Sequence, residues 1–319
     1  MKLIFGVPDK SVPIWDFLPS IEVMINNLGW RWGRPPARVV WVDSGGYQAM
    51  VRGAKLRLED VVARFRSLDG DIYISLDTPP TSLCPDDRGL VLRNIEVFDV
   101  LRSRLDDRVV VPVVHCYAPH LMLEAIDIYR SLGAKIIAFG GAVPPSMARM
   151  GRGSRVAPLI ALAIAVKASR VPIHALGIGG SITMYSVVKV LGASSVDSSS
   201  WRVKAAYGKI LVPGLGERYV GNGRARFGRV DLKPHELEML KQYLEKTGFP
   251  YIDKVEEMLR TFRGRAIINA WVIYHYRDSL SPNNGFQWML RFAERYRNAS
   301  LEVLVEELET VISSQKRVA

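Results

Sequence analysis

Three aspartates in this 319-residue chain each follow a short apolar run, at the point where a β-strand would end. They are Asp43 in VDSGGYQ, Asp77 in LDTPP and Asp197 in VDSSSW. An aspartate in such a position commonly caps a helix or closes a turn. If the three strands belong to one barrel, however, their carboxylates meet in one pocket, which helix capping does not require. Two of them would suit nucleophile and acid–base roles at a glycosidic carbon, and the third could accept hydrogen bonds from a guanine-like base edge.

The other polar residues near these runs give weaker signals. Gly140 and Gly141 form a glycine pair without the Gly-Lys-Ser/Thr sequence of a phosphate-binding loop, so small residues in a barrel turn explain them better. His115 and Cys116 are neighbours on a predicted strand and point to opposite faces, which makes them a poor catalytic pair. His174 lies inside an apolar strand and is predicted to be a core histidine. No pattern of metal ligands is present, and we expect no metal.

The elements that would position these residues recur in a regular order. Short β-branched runs alternate with amphipathic stretches, a pattern typical of a parallel sheet covered by helices on both faces. The predicted strands cover residues 38–42, 72–76, 109–114, 135–139, 171–176 and 194–197, with a further candidate at 3–5. The predicted helices cover residues 58–68, 88–105, 120–132, 158–169 and 182–191.

Polar or glycine-rich residues follow each of the six main runs. A (β/α)8 barrel carries its site on the face formed by the C-terminal ends of its strands, whereas a doubly wound sheet concentrates such residues at one switch point. The sequence therefore predicts an α/β protein with a (β/α)8 barrel. Residues 1–212 are expected to hold most of it, and 213–319 a basic loop or hairpin rich in glycine and arginine, the completion of the barrel and appended helices. Those helices are predicted at 234–247, 251–262, 266–276, 284–298 and 301–314.

The charge of the chain indicates a polyanionic partner. Lys and Arg number 43 against 32 Asp and Glu, which gives a formal net charge of +11. An excess of this size favours nucleic acid, although a solvated basic surface is the simpler explanation for any single residue. The residues expected to contact the nucleic-acid backbone are Arg152, Arg155, Arg202, Lys204, Arg218, Arg224 and Arg226.

Composition restricts the class of protein further. Hydrophobic residues make up 48% and charged residues 24%, which is typical of a globular chain. Two cysteines, Cys84 and Cys116, are too few for a disulfide framework or a zinc site of three or four thiolates, and they fit a reducing compartment. The longest apolar run, residues 156–166, is too short to cross a bilayer, and the first residues lack a signal-peptide core. We therefore expect a cytoplasmic protein without a membrane partner.

The motifs at the strand ends, in this order, resemble those of the tRNA-guanine transglycosylase superfamily, in particular its archaeal branch that initiates archaeosine synthesis. The matching segments are VDSGGYQ at 42–48, LDTPP at 76–80, VPVVHCYAPH at 111–120, IAFGGAVPP at 137–145, PIHALGIGG at 172–180 and VDSSSWRVKAAYGKI at 196–210. A single matching segment would be weak evidence for the family, whereas six segments in the family order are specific to it. The likeness covers residues 38–212, a little over half of the chain, and the family fold is a (β/α)8 barrel.

The resemblance implies a base exchange in nucleic acid that needs no cofactor. Asp197 would attack C1′ of a guanosine, expel guanine and hold the sugar covalently, and Asp43 would assist proton transfer. A 7-deazaguanine base would then displace the enzyme from the sugar. The target nucleotide must be flipped out of its stack into the barrel. A homodimer is compatible with the resemblance, since family members commonly dimerise.

The resemblance also implies how the base is held. Asp77 would read the amino edge of the purine, the backbone of Gly140 and Gly141 would contact its carbonyl, and Tyr47 and Leu176 would lie on either side of the ring. The full set of implied base-binding residues is Tyr47, Asp77, His115, Gly140, Gly141, Leu176 and Gly177.

Three departures from the family pattern bear on the substrate. His115 stands where the family has a base-reading glutamine, so the choice of base could differ. No cysteine follows Gly208, which removes the C-terminal zinc site of the family, and 319 residues leave no room for the RNA-binding PUA domain of the archaeal enzymes. Such trimming resembles relatives that insert 7-deazaguanines into DNA, so DNA is slightly favoured over tRNA.

Two other functions stay open from the sequence. A non-catalytic paralogue could bind nucleic acid or accompany an active subunit, but it would not need to keep both Asp43 and Asp197. A barrel N-glycosidase could use the same two carboxylates and let water resolve the intermediate.

Overall fold

The structure is a computed structural model that describes residues 1–141, 156–221, 228–277 and 287–316, without the side chains of Tyr47, Val51, Gln315 and Lys316. Nine parallel strands form its main sheet. They are β1 (Lys2–Val7), β2 (Glu22–Asn26), β3 (Val39–Asp43), β4 (Ile72–Ile74), β5 (Val109–Val111), β6 (Val113–Val114), β7 (Ile137–Phe139), β8 (Ile173–Ala175) and β9 (Ser195–Ser198).

The nine strands occupy eight positions around a barrel, because β5 and β6 are successive parts of one strand. They are separated only by Pro112, which has no N–H to give to a neighbour. β5 pairs with β4 and β6 pairs with β7, while β1 pairs with both β2 and β9. The Pro112 carbonyl still accepts the Ala138 N–H at 2.8 Å. The strand order therefore returns to its start, and the predicted (β/α)8 barrel is confirmed.

Helices follow most of the strands, as the sequence predicts. They are α1 (Gly46–Val51), α2 (Leu58–Ser67), α3 (Arg88–Arg104), α4 (Pro119–Ser131), α5 (Ala157–Ser169), α6 (Ile182–Leu191) and α7 (Ser200–Ala206). Side chains alternate along each strand between this helical layer and the barrel interior. The interior is filled by Ile4, Met24, Trp41, Ile74, Val111, Val113 and Ala138.

In the described ranges, the C-terminal part adds a hairpin and five α-helices. β10 (Lys209–Val212) pairs antiparallel with β11 (Gly216–Tyr219), and the helices are α8 (Pro234–Lys246), α9 (Val255–Arg260), α10 (Phe262–Tyr276), α11 (Gln287–Asn298) and α12 (Leu301–Lys316). α10 packs on α7, α11 on α6 and α12 on α5. In the described ranges, every barrel strand lies before residue 199, so this part supplies outer helices and no barrel strand. No helix in those ranges has the length and apolar character needed to cross a bilayer.

Cys84 and Cys116 form a disulfide bond, a single cross-link that was not predicted from the sequence and that does not support the inference of a reducing compartment. The bond joins the segment after β4 to the residue that follows His115 at the end of β6. The two positions are 32 residues apart in sequence and meet because the β4–α3–β5 unit brings the chain back beside itself. Both cysteines are buried.

Removal of this bond is expected to lower the free energy of unfolding by about 3–4 kcal/mol, the chain-entropy effect for a loop of this length. Urea unfolding with and without reductant measures the difference. The matched control is the double variant Cys84→Ala with Cys116→Ala, whose midpoint should not respond to reductant. An equal response of wild type and double variant would contradict the assignment of the effect to the disulfide.

Candidate active site at the barrel mouth

Asp43 is the last residue of β3 and faces the mouth of the barrel. Asn26, at the end of the adjacent β2, donates its side-chain N–H to Asp43 Oδ2 at 2.8 Å. The chain then turns through Gly45, whose φ of 82° is in the left-handed region that glycine adopts readily. The next residue, Gly46, leaves no room for a side chain, since an added Cβ would lie 2.9 Å from the carbonyl oxygen of Asp77. This turn therefore brings Asp43 and Asp77 to the same end of the barrel.

The surroundings of Asp43 favour its protonated form. Burial, together with the negative charges of Asp197 and Asp77, raises the pKa of Asp43 to about 7. Hydrogen bonds from Asn26 and from the Gly45 N–H act in the opposite direction and do not offset these effects. The three aspartates predicted from the sequence thus lie within electrostatic reach of one another. A carboxyl group with a pKa near neutrality can both give and take a proton at physiological pH.

Asp197 has one oxygen held by the protein and one available. Its Oδ1 accepts the backbone N–H of Gly177 at 2.7 Å. The same oxygen lies 3.3 Å from Nε2 of His174. In the described part of the chain, Oδ2 has no hydrogen-bond partner. A carboxylate fixed through one oxygen, with the other oxygen unpartnered, has the arrangement that nucleophilic attack requires.

His174 is the residue of this site whose role the sequence did not reveal. It is fully buried, as the core-histidine prediction requires, but it also touches Asp197. Its Nδ1 lies 2.9 Å from Ser195 Oγ, and its ring stacks on Trp41 with centroids 4.8 Å apart. The Trp41 indole in turn donates to the buried Glu22 at 3.1 Å. This stack fixes the imidazole beside Asp197, and its buried Nε2 has no hydrogen-bond partner among the described residues.

Asp77 and His115 form a second polar pair at the mouth. His115 Nε2 lies 2.7 Å from Asp77 Oδ2, and the imidazole is 2% exposed. Gly140 is needed to make room for it, because an added Cβ at that position would lie 2.6 Å from the imidazole ring. Gly141 is similarly confined, since a Cβ added there would lie 2.5 Å from the backbone nitrogen of Cys116. Packing therefore accounts for both glycines, as the turn interpretation predicts.

The other predicted base-binding residues lie at the same end of the barrel. Gly177 holds Asp197, and Leu176 packs partly buried against the barrel interior. The N–H of Gly140 is donated to the Val114 carbonyl at 2.9 Å, so that amide already has a partner. Tyr47 lies in α1, directly after the turn that carries Asp43. Contact of these residues with a base stays a prediction.

Three of the predicted phosphate-binding residues have partners within the protein. Arg202 contacts Asp9 at 2.9 Å, and Lys204 contacts Glu217 at 3.0 Å. Arg218 contacts the buried Glu236 at 2.8 Å. A phosphate bound by any of them would compete with, or share the side chain with, a carboxylate partner. The remaining four, Arg152, Arg155, Arg224 and Arg226, lie outside the described residues.

No family model matches this chain. Across the described ranges, no three His, Cys, Asp or Glu side chains are grouped so that they could hold a metal ion. The chain is similar to a protein of Sulfolobus islandicus rod-shaped virus 1 named uncharacterized protein 306. The two are 28% identical over 317 residues, which cover 97% of this chain and 91% of the viral protein.

Proposed function

We propose that this protein is a nucleic-acid guanine transglycosylase, which exchanges guanine in DNA or tRNA for a 7-deazaguanine base. The observation that carries the proposal is the group of Asp43, Asp77 and Asp197 at one barrel mouth, with a pKa of about 7 at Asp43. Neighbouring carboxylates that lie in different surroundings can divide the acid–base and nucleophilic roles of a reaction between them. With this substrate we also propose a cytoplasmic location.

We propose the following reaction for these groups. Oδ2 of Asp197 attacks C1′, the glycosidic bond breaks, and its electron pair leaves with guanine. The departing base takes up a proton that Asp43 can supply. The incoming 7-deazaguanine then loses its N9 proton to Asp43, and N9 displaces Asp197 from C1′. Asp77 accepts hydrogen bonds from the amino edge of either base, while His115 keeps its carboxylate in place.

The test is transfer of labelled base into polymer. Radiolabelled guanine or 7-cyano-7-deazaguanine is incubated with the protein and either duplex DNA or tRNA transcripts, and label in the nucleic acid is counted. Label in one polymer identifies the substrate. Release of free guanine without incorporation would assign the site to an N-glycosidase instead. Absence of both incorporation and release with every polymer would contradict the enzymatic proposal.

A further inference from the structure

A basic and aromatic patch lies on the loop between β2 and β3, at residues 27–38, together with α2. We call it the Arg31 patch and define it as Arg31, Trp32 and Arg64. The loop is anchored by Trp30, whose buried indole donates to the Gly33 carbonyl at 3.1 Å. Trp32 packs edge-on against Trp30 with centroids 5.1 Å apart and stays 40% exposed. Part of the Trp32 indole is therefore open to solvent.

The two arginines of the Arg31 patch lie close together without a compensating anion. Arg64 donates its Nε–H to the Asn27 carbonyl at 3.2 Å and also contacts the Trp30 carbonyl. Arg31 approaches that same Trp30 carbonyl at 3.5 Å. Burial and the nearby Arg31 charge lower the pKa of Arg64. Within the described ranges neither guanidinium has a carboxylate at ion-pair distance, so an anion bound between them would relieve their repulsion.

The Arg31 patch is directly connected to the barrel mouth. The backbone N–H of Asn27 donates to the Asp43 carbonyl at 2.9 Å, while the Asn27 carbonyl is the group that Arg64 holds. Asn26, the preceding residue, binds the carboxylate of Asp43. The Arg31 patch is thus joined through Asn26 and Asn27 to the residue whose carboxylate lies at the mouth.

We propose that the Arg31 patch binds the nucleic acid next to the flipped nucleotide, with Arg31 and Arg64 on a backbone phosphate and Trp32 stacked on an unpaired base. Guanidinium groups bind phosphate through paired hydrogen bonds, and an exposed aromatic ring stacks on a base without sequence preference. The net charge of +11 agrees with a polyanion. The choice of nucleic acid over an acidic protein rests on the proposed function.

Binding of a fluorescein-labelled single-stranded DNA and of a labelled tRNA transcript, measured by anisotropy, tests the proposal. Arg31→Glu is expected to weaken binding at least about ten-fold, and Trp32→Ala also about ten-fold. Arg31→Ala should reduce the slope of log affinity against log salt by about 0.7–0.9, the loss of one phosphate contact. Both side chains are exposed, so thermal unfolding of these variants should match wild type.

The matched control is Lys135→Glu, which makes the same charge change at an exposed site before β7, at the opposite end of the barrel. It should leave binding within about two-fold of wild type. Equal losses in Arg31→Glu and Lys135→Glu, or unchanged binding in Arg31→Glu and Trp32→Ala, would overturn the proposal. Polyglutamate bound as tightly as the nucleic acid would assign the patch to an acidic protein. Intact binding without base exchange would contradict only the proposed function, because this assay needs no catalysis.

Discussion

Asp197→Asn is expected to lose base exchange by a factor of at least about 10³ in kcat, the scale seen when a catalytic nucleophile is removed. The amide can still accept the N–H of Gly177 through its oxygen, so the local geometry should persist. What it lacks is the anionic oxygen that would attack C1′. The loss should therefore appear in the chemical step and leave affinity for nucleic acid nearly unchanged.

The covalent intermediate gives a direct measurement of this role. Wild type incubated with labelled nucleic acid and no incoming base should yield a protein–polymer adduct on a denaturing gel, and Asp197→Asn should yield none. Asp99→Asn, on the exposed side of α3, is the matched control and should form the adduct at the wild-type rate. An Asp197→Asn variant that still forms adduct would show that another residue is the nucleophile.

The barrel could be predicted because its signal is local. Apolar runs and amphipathic stretches alternate, and the strands at 38–42 and 109–114 lie where the runs do. β2 was missed because it begins at Glu22, a charged residue that normally argues against a buried strand. In the structure this buried carboxylate contacts Trp41, Lys2 and Arg38, and none of these residues is close to it in sequence.

Site residues could be predicted from the sequence only where a polar residue ends one of the apolar runs. Asp43, Asp77 and Asp197 stand out because each ends an apolar run. His174 does not stand out, because it lies within an apolar run. With apolar residues on both sides, the sequence does not show which face of the strand points into the barrel. Its partner Ser195 comes from β9, 21 residues later, so only the strand register brings the two together.

Charge counting predicted a basic protein but not which basic residues are free. The carboxylates that pair with Arg202 and Arg218 are Asp9, far along the chain, and Glu236 at the start of α8. Clustering in sequence could not show that these two arginines have carboxylate partners within the protein, and their contact with phosphate stays a prediction. The disulfide was missed for the same reason, because 32 residues and one helix separate its cysteines.

Asp43→Asn is expected to make the protein more stable at neutral pH while it impairs base exchange. In the folded protein the pKa of Asp43 is raised from 3.8 to about 7. Between these two values the unfolded chain releases the proton and the folded chain keeps it, so wild-type folding loses stability as the pH rises through this window. Asparagine does not titrate and avoids this loss. The variant should gain little at pH 4 and up to about 4 kcal/mol at pH 8.

Urea unfolding of wild type and Asp43→Asn across this pH range measures the difference directly. Its dependence on pH separates the titration of Asp43 from a general packing effect, which would give a constant offset. Asp99→Asn, at a partly exposed surface site, should give a flat difference from wild type. A stability gain that is constant with pH, or that shrinks as the pH rises, would contradict a raised pKa at Asp43. Since the same buried proton is what the exchange reaction needs, the pH at which the stability gain levels off should coincide with the upper limit of the wild-type activity profile.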